Sequence, residues 1–216
     1  GDIYGRFFKR DANGVIVVDN TGAPIKGSDP NSDIGNANLK KLGNPNPRFT
    51  VGWNNSFNVK NFSLNLLFTG HFGGQVMSMT SAELDLSGVS KATADARDAG
   101  GVNINAVHED GSKATSIDPQ AFYKAVGGRA GISEYYMYDA TNIRLRELSI
   151  GYSVPVKASW VKSCNISLIG RNLFFVTKKA PFDPETSMST SNGMLGIDTY
   201  GNPATRSLGV SVKFGF

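Results

Sequence analysis

The chain has 216 residues with 22 Lys and Arg against 18 Asp and Glu, a net charge of +4 whose cations are scattered, and so no basic stripe for nucleic acid. One cysteine, Cys164, excludes an intrachain disulfide, and no apolar run approaches the roughly 18 residues of a membrane helix. The length allows one large domain or two small ones, and the start at Gly1, inside a strand-like stretch with no leader signature, leads us to expect a piece of a longer protein.

Ile3 to Lys9 reads as a strand end, and the turn at Asp11-Ala12-Asn13-Gly14 predicts that Val15 to Val18 pairs back on it. Thr21 to Pro47 is rich in Gly, Pro, Asn and Asp and reads as loop. Phe49, Val51, Trp53, Asn55 and Phe57 then fall on one face of a strand, and Phe62, Leu64, Leu66, Phe68 and Phe72 on one face of the next, across a short turn at Val59 to Asn61. From Gly73 to Met137 the alternation stops. Helices are predicted there at Thr80 to Leu86, Ser90 to Arg97 and Pro119 to Val126, the last with Asp118 as N-cap and Pro119 in its first turn. Alternation resumes at Asp139 to Val154, where Leu148, Ile150, Tyr152 and Val154 share a face that Arg144 and Arg146 continue. Pro155 ends that strand, Val156 to Ser163 is a turn, and Cys164 to Val176 is the next strand. Lys178 to Arg206 is a second long loop. The last strand places Leu208, Val210, Val212, Phe214 and Phe216 on one face, and it ends on an aromatic with no polar tail.

Short and long connections alternate strictly. That is the pattern of an outer-membrane barrel, with short turns in the periplasm and long loops outside. The fold class expected is all-β: about six antiparallel strands from the C-terminal part of a transmembrane β-barrel, with short helices in its long extracellular loops. Residues 1–46 are expected to hold the strand end, small hairpin and a loop. Residues 47–216 are expected to hold barrel strands with long loops at about 73–137 and 177–206.

Several segments, in order, resemble the SusC/RagA type of TonB-dependent outer-membrane transporters. They are Leu42-Gly43-Asn44-Pro45-Asn46-Pro47-Arg48-Phe49, Asn61-Phe62-Ser63-Leu64 and the run from Tyr138 to Tyr152 containing Asn142-Ile143-Arg144-Leu145-Arg146-Glu147-Leu148. Gly170-Arg171-Asn172-Leu173-Phe174, Phe182-Asp183-Pro184-Glu185 and Thr205-Arg206-Ser207 complete the series. The resemblance implies a barrel of about twenty-two strands around a plug, a SusD-type surface lipoprotein as lid, and import of oligosaccharides or peptides driven by TonB. Only the last strands of that barrel match, so the plug and its TonB contact lie outside this sequence, and the piece alone is not expected to transport. Val210, Val212, Phe214 and Phe216 resemble the signal that the barrel-assembly machinery takes up as an added strand.

Other chemistry is thinly represented. No nucleophile elbow occurs, His71 and His108 have no metal-ligand spacing, and carboxylate pairs drawn from Glu83, Asp85, Glu109 and Asp110 read better as solvated loop charge. The chain is expected to be no enzyme and to need no cofactor or metal, Asp183-Pro184-Glu185 reading as a loop turn before a calcium site. Arg144, Arg146 and Glu147 read as structural pairs before substrate ligands. Trp53 shares an apolar strand face and reads as a lipid contact. Tyr135, Tyr136 and Tyr200, in or beside the long loops, are the candidates for contact with substrate. The rival reading is a secreted β-sandwich that binds glycans.

Overall fold

The computed structural model describes residues 1–157, 160–189, 191 and 193–216. Parts of the expected turn at Val156 to Ser163 and of the second long loop lie outside the described residues, at 158, 159, 190 and 192. The chain divides into two units, each assembled from three stretches: Gly1–Pro45, Gln75–Tyr138 and Thr186–Gly201 in one, Asn46–Gly74, Asp139–Glu185 and Asn202–Phe216 in the other.

The second unit is a five-stranded antiparallel meander in which every strand pairs with its neighbours in sequence. Its strands are β1 (Phe49–Val59), β2 (Phe62–Phe72), β3 (Asn142–Val154), β4 (Ser163–Lys178) and β5 (Ser207–Gly215). A two-residue turn joins β1 to β2, with Lys60 at φ 52° and Val59 opposite Phe62. The expected sixth strand is absent from this sheet, because Ile3–Gly5 pairs with Lys40–Gly43 in the other unit. The exit from β2 and the entry to β3 are tied together. Gly73 N donates to Thr141 Oγ1 at 2.9 Å and Ala140 N donates to Gly74 O at 3.0 Å.

Two irregularities reset the alternation. A β-bulge at Arg146 lets Leu145 stand opposite both Phe68 and Phe174, and moves Arg144 to the face of Thr69. The expectation that Arg144 and Arg146 continue the face of Leu148 is therefore corrected: one inserted residue inverts the phase of everything beyond it. On β4 the pairing steps from Arg171 to Phe174 across Asn172, which takes φ 52°. Asparagine tolerates this left-handed conformation better than most residues.

The first unit has a core of its own, which a reading of these stretches as a strand end, a small hairpin and long loops carrying short helices did not foresee. Phe8, Val18, Ala82, Ala106, Ile117, Phe122, Val126, Ile132 and Tyr136 are buried together. Helices α1 (Met79–Leu86), α2 (Lys91–Asp98) and α3 (Pro119–Val126) fall within two residues of their predicted ends. Each starts at a side-chain cap: Ser78 accepts from Ser81 N, Ser90 from Thr93 N and Asp118 from Gln120 N. The Asp11–Gly14 turn forms, with Gly14 at φ 80° and a single bridge between Arg10 and Ile16. Ile16–Val18 does not extend that hairpin into a ladder. It lies parallel to Ala106–His108, which pairs with Lys113–Ala114.

Candidate functional site

The sheet presents two unlike faces. Across it, Phe57, Leu64, Ile150, Leu168 and Val210 form one cross-strand row, and Phe62, Tyr152, Ile166 and Val212 the next. Paired residues share a face, and most of this face is open: Trp53 is 61% exposed and Leu208 83%. Aromatic pairs stand at both ends of the band. Phe62 with Tyr152 and Trp160 with Phe216 lie at the end of the short turns, Phe49 with Phe72 and Trp53 with Phe68 toward the other. The opposite face is a ladder of small polar groups in which Ser63, Gly151, Ser167 and Ser211 align. Ser56 donates to Asn65 Oδ1 at 2.7 Å, Asn165 Nδ2 to Ser153 Oγ at 3.1 Å and Ser167 to Asn165 Oδ1 at 3.0 Å. Val210, Val212, Phe214 and Phe216 lie on or at the end of edge strand β5, with their side chains exposed.

Where the bulge resets the strands, an ionic clasp forms. Arg144 Nη1 donates to Glu185 Oε2 at 2.8 Å and Nη2 to Asp183 Oδ2 at 3.0 Å, while its guanidinium lies 4.1 Å from the centre of the Phe175 ring. Arg146 donates to both oxygens of Glu185, at 2.8 and 3.0 Å, and to Asn172 Oδ1 at 3.0 Å. His71 Nδ1 is 3.4 Å from Glu185 Oε1. The Arg144 side chain is 5% exposed, so this pairing is made out of water, where losing one partner strands a charge. Glu147 is not part of the clasp and instead takes Arg171 Nε at 3.0 Å. Asp183 and Glu185 have their oxygens committed to guanidinium groups and to the turn, with Glu185 N donating back to Asp183 Oδ1 at 3.0 Å. The arrangement fixes the loop after β4 to the sheet. Nearby, Asp139 is held down at about 2 by its bond with Lys179 and then by Thr141.

The three tyrosine candidates are not brought together. Tyr136 is 1% exposed, and its hydroxyl donates to Asp85 Oδ2 at 3.0 Å. Burial, and then the Asp85 charge, push its ionisation up. Its neighbour Tyr135 is at the surface, packed edge-on against Phe122 and Tyr136. Tyr200 is 63% exposed, with φ 49° and its N–H donated to Thr80 Oγ1. The loop carboxylates each have a local partner: Glu83 takes Arg129 N, Glu109 takes Lys9 Nζ and Asp110 takes Ser112. His108 Nδ1 lies 3.0 Å from Asp19 O. Sequence reasoning missed Thr69 and Asn172 as clasp members, and Leu145, an apolar residue between two arginines, was the signal that a bulge inverts the phase there.

No protein-family model matches the chain. TonB-dependent receptor P3 of Formosa agariphila is 29% identical over 234 residues, covering 99% of this chain and 22% of that protein. The RagAB peptide importer in its open-open state superposes with a TM-score of 0.63 at 16% identity, over 100% of this chain and 22% of that one. A structure of the RagAB peptide transporter gives 0.58 at 16% identity, over 98% and 22%. These proteins are described as a receptor and as an importer or transporter, in agreement with a non-enzymatic chain. This chain, about a fifth of the length of the proteins it matches, is a remote homologue of TonB-dependent receptors and shares the fold of part of RagAB.

Proposed function

We propose that the chain is the C-terminal barrel part of a TonB-dependent importer of the bacterial outer membrane, its five-stranded sheet forming part of the wall. The observation that carries this reading is the apolar face, bare across all five strands and backed by a serine and asparagine face. Monomeric soluble proteins rarely leave so broad an apolar surface to water. In a barrel wall the apolar side meets lipid, aromatic girdles mark the two interfaces, and the polar side lines the lumen. Strands β1 and β2 have eleven residues each, matching the roughly 9–11 that cross a bilayer at a tilt. Open edges at β1 and β5 have no place in lipid, so further strands of a longer polypeptide pair with them.

On this reading the long connections are extracellular, TonB acts through a plug outside this sequence, and a SusD-type lipoprotein covers the entrance. The cargo is an oligosaccharide or a peptide, and Tyr135 and Tyr200 are the exposed rings that meet it. Strand β5, through Val210, Val212, Phe214 and Phe216, is the stretch taken up by the barrel-assembly machinery.

The test is a blot of outer-membrane fractions with and without heating, using the full-length protein and a variant lacking Phe216. A heat-modifiable band several times larger than 23.1 kDa, depleted when Phe216 is removed, is expected. A folded 23.1 kDa species in the soluble fraction that binds glycan would replace this reading with the secreted sandwich.

A further inference from the structure

In the unit built from Gly1–Pro45, Gln75–Tyr138 and Thr186–Gly201, helices α1, α2 and α3 border a cleft of about 600 Å³. That volume is in the range of small-ligand sites. Asp85 lines it. This carboxylate is 6% exposed, one oxygen takes the Tyr136 hydroxyl, and no cation pairs with it among the described residues. Its second oxygen has no partner among the described residues and is not among the atoms sealed from solvent. Asp85 also sits in the last turn of α1, a helix with no basic residue there. The carbonyl end of a helix adds partial negative charge, so carboxylate and helix terminus both favour a cation at this point. A buried carboxylate without a cation is costly, and a ligand ammonium reaching it would offset that cost.

The same cleft carries the opposite charge elsewhere on its lining. Arg97 and Lys124 border it, and neither meets a carboxylate among the described residues, Arg97 giving one N–H to Gly88 O at 3.1 Å. Leu86, Pro119 and Tyr123 supply apolar wall. A ligand that matches this lining has an ammonium, a carboxylate and apolar bulk. A neutral oligosaccharide has neither charge.

We infer that this cleft binds a zwitterionic ligand of the amino acid or short peptide class, its ammonium on Asp85 and its carboxylate toward Arg97 and Lys124. The inference deepens the import reading, on which its biological sense rests, by choosing peptide over saccharide. Binding by the cleft is measurable apart from uptake.

The experiment is calorimetric titration of the full-length protein in detergent with leucyl-glycyl-leucine, its N-acetylated form and maltotriose. The free tripeptide is expected to bind, the acetylated form to bind about tenfold more weakly or worse, as for a lost charge-assisted hydrogen bond, and maltotriose not to compete. D85N, which keeps an acceptor for Tyr136, is expected to show the same loss for the free tripeptide and no further loss on acetylation. Lys124→Met is expected to weaken the free tripeptide but not its C-terminal amide. Equal affinity for free and acetylated peptide, or no binding of the free one, would overturn the inference, and both are read on the unaltered protein, so a D85N that fails to fold does not matter. Cells lacking the protein that still take up the tripeptide normally, while the purified protein binds it as described, would overturn import and leave the cleft standing.

Discussion

One unit of this chain hides its apolar residues in itself, and the other shows them. Phe122, Val126 and Ile132 are sealed from solvent by neighbours drawn from distant stretches. Phe57, Ile150, Leu168 and Val210 are equally apolar and stand open on a sheet. Burial in the first unit comes from helices and short ladders folded around one core, in the ordinary way of a water-soluble domain. Among the described residues of the sheet unit nothing covers the open face, and on the proposed reading lipid does. The lesson is that the same residue types end buried in one unit and open in the other, and their spacing in the chain decides which.

The sharpest way to break that contrast is Phe122→Ala, which leaves a cavity at a fully buried site and is expected to cost about 3–5 kcal/mol. Limited proteolysis of the full-length protein is expected to cut within residues 75–138 while the heat-modifiable band survives. Loss of the heat-modifiable band together with that cleavage would mean that the units do not hold themselves up separately. Next is Arg144→Met, which leaves Asp183 without its cation while Glu185 keeps Arg146, and is expected to cost about 3 kcal/mol, the low end for breaking a buried pair. A shift in the temperature at which the folded band disappears on gels measures it, and no shift would demote the clasp to decoration. Leu168→Arg, in the middle of the apolar band, is expected to cost about 2–3 kcal/mol if lipid lies against it. Tolerance of that change in folding titrations into vesicles would remove lipid from the picture.

The smallest effect is pH. Asp139 has its ionisation lowered to about 2 from 3.8, mainly by Lys179. Its contribution is thus complete above pH 3.8 and is lost as pH falls toward 2. The pair is exposed, so the effect is modest and falls with salt. Lys179→Met is expected to flatten that part of the stability curve, and an unchanged curve would assign the acid sensitivity to other carboxylates.

The long strands were legible because their alternation runs unbroken for ten residues or so, and α3 was legible from Asp118-Pro119. The core of the other unit was not, because Phe8, Val18, Ala82 and Ile132 come from segments too short to show a period of their own. The clasp was half legible. Arg144, Arg146, Asp183 and Glu185 were all singled out, but their partnership depends on the bulge at Arg146 and the inverted backbone at Asn172, which a strict period of two cannot express. Tyr136 shows the same limit, since adjacent tyrosines in a loop sequence look alike until packing separates them.

The hydrogen bonds from Gly73 to Thr141 and from Ala140 to Gly74 bring the two ends of the segment 75–138 to one spot. Chain inserted there closes its loop on a scaffold already in register, and the entropy of closure grows only slowly with length. The sheet is in this sense a socket. The register of β2 against β3 is held at this point by Gly73, Gly74, Ala140 and Thr141, all of the sheet unit, and so does not depend on how long the chain is between them.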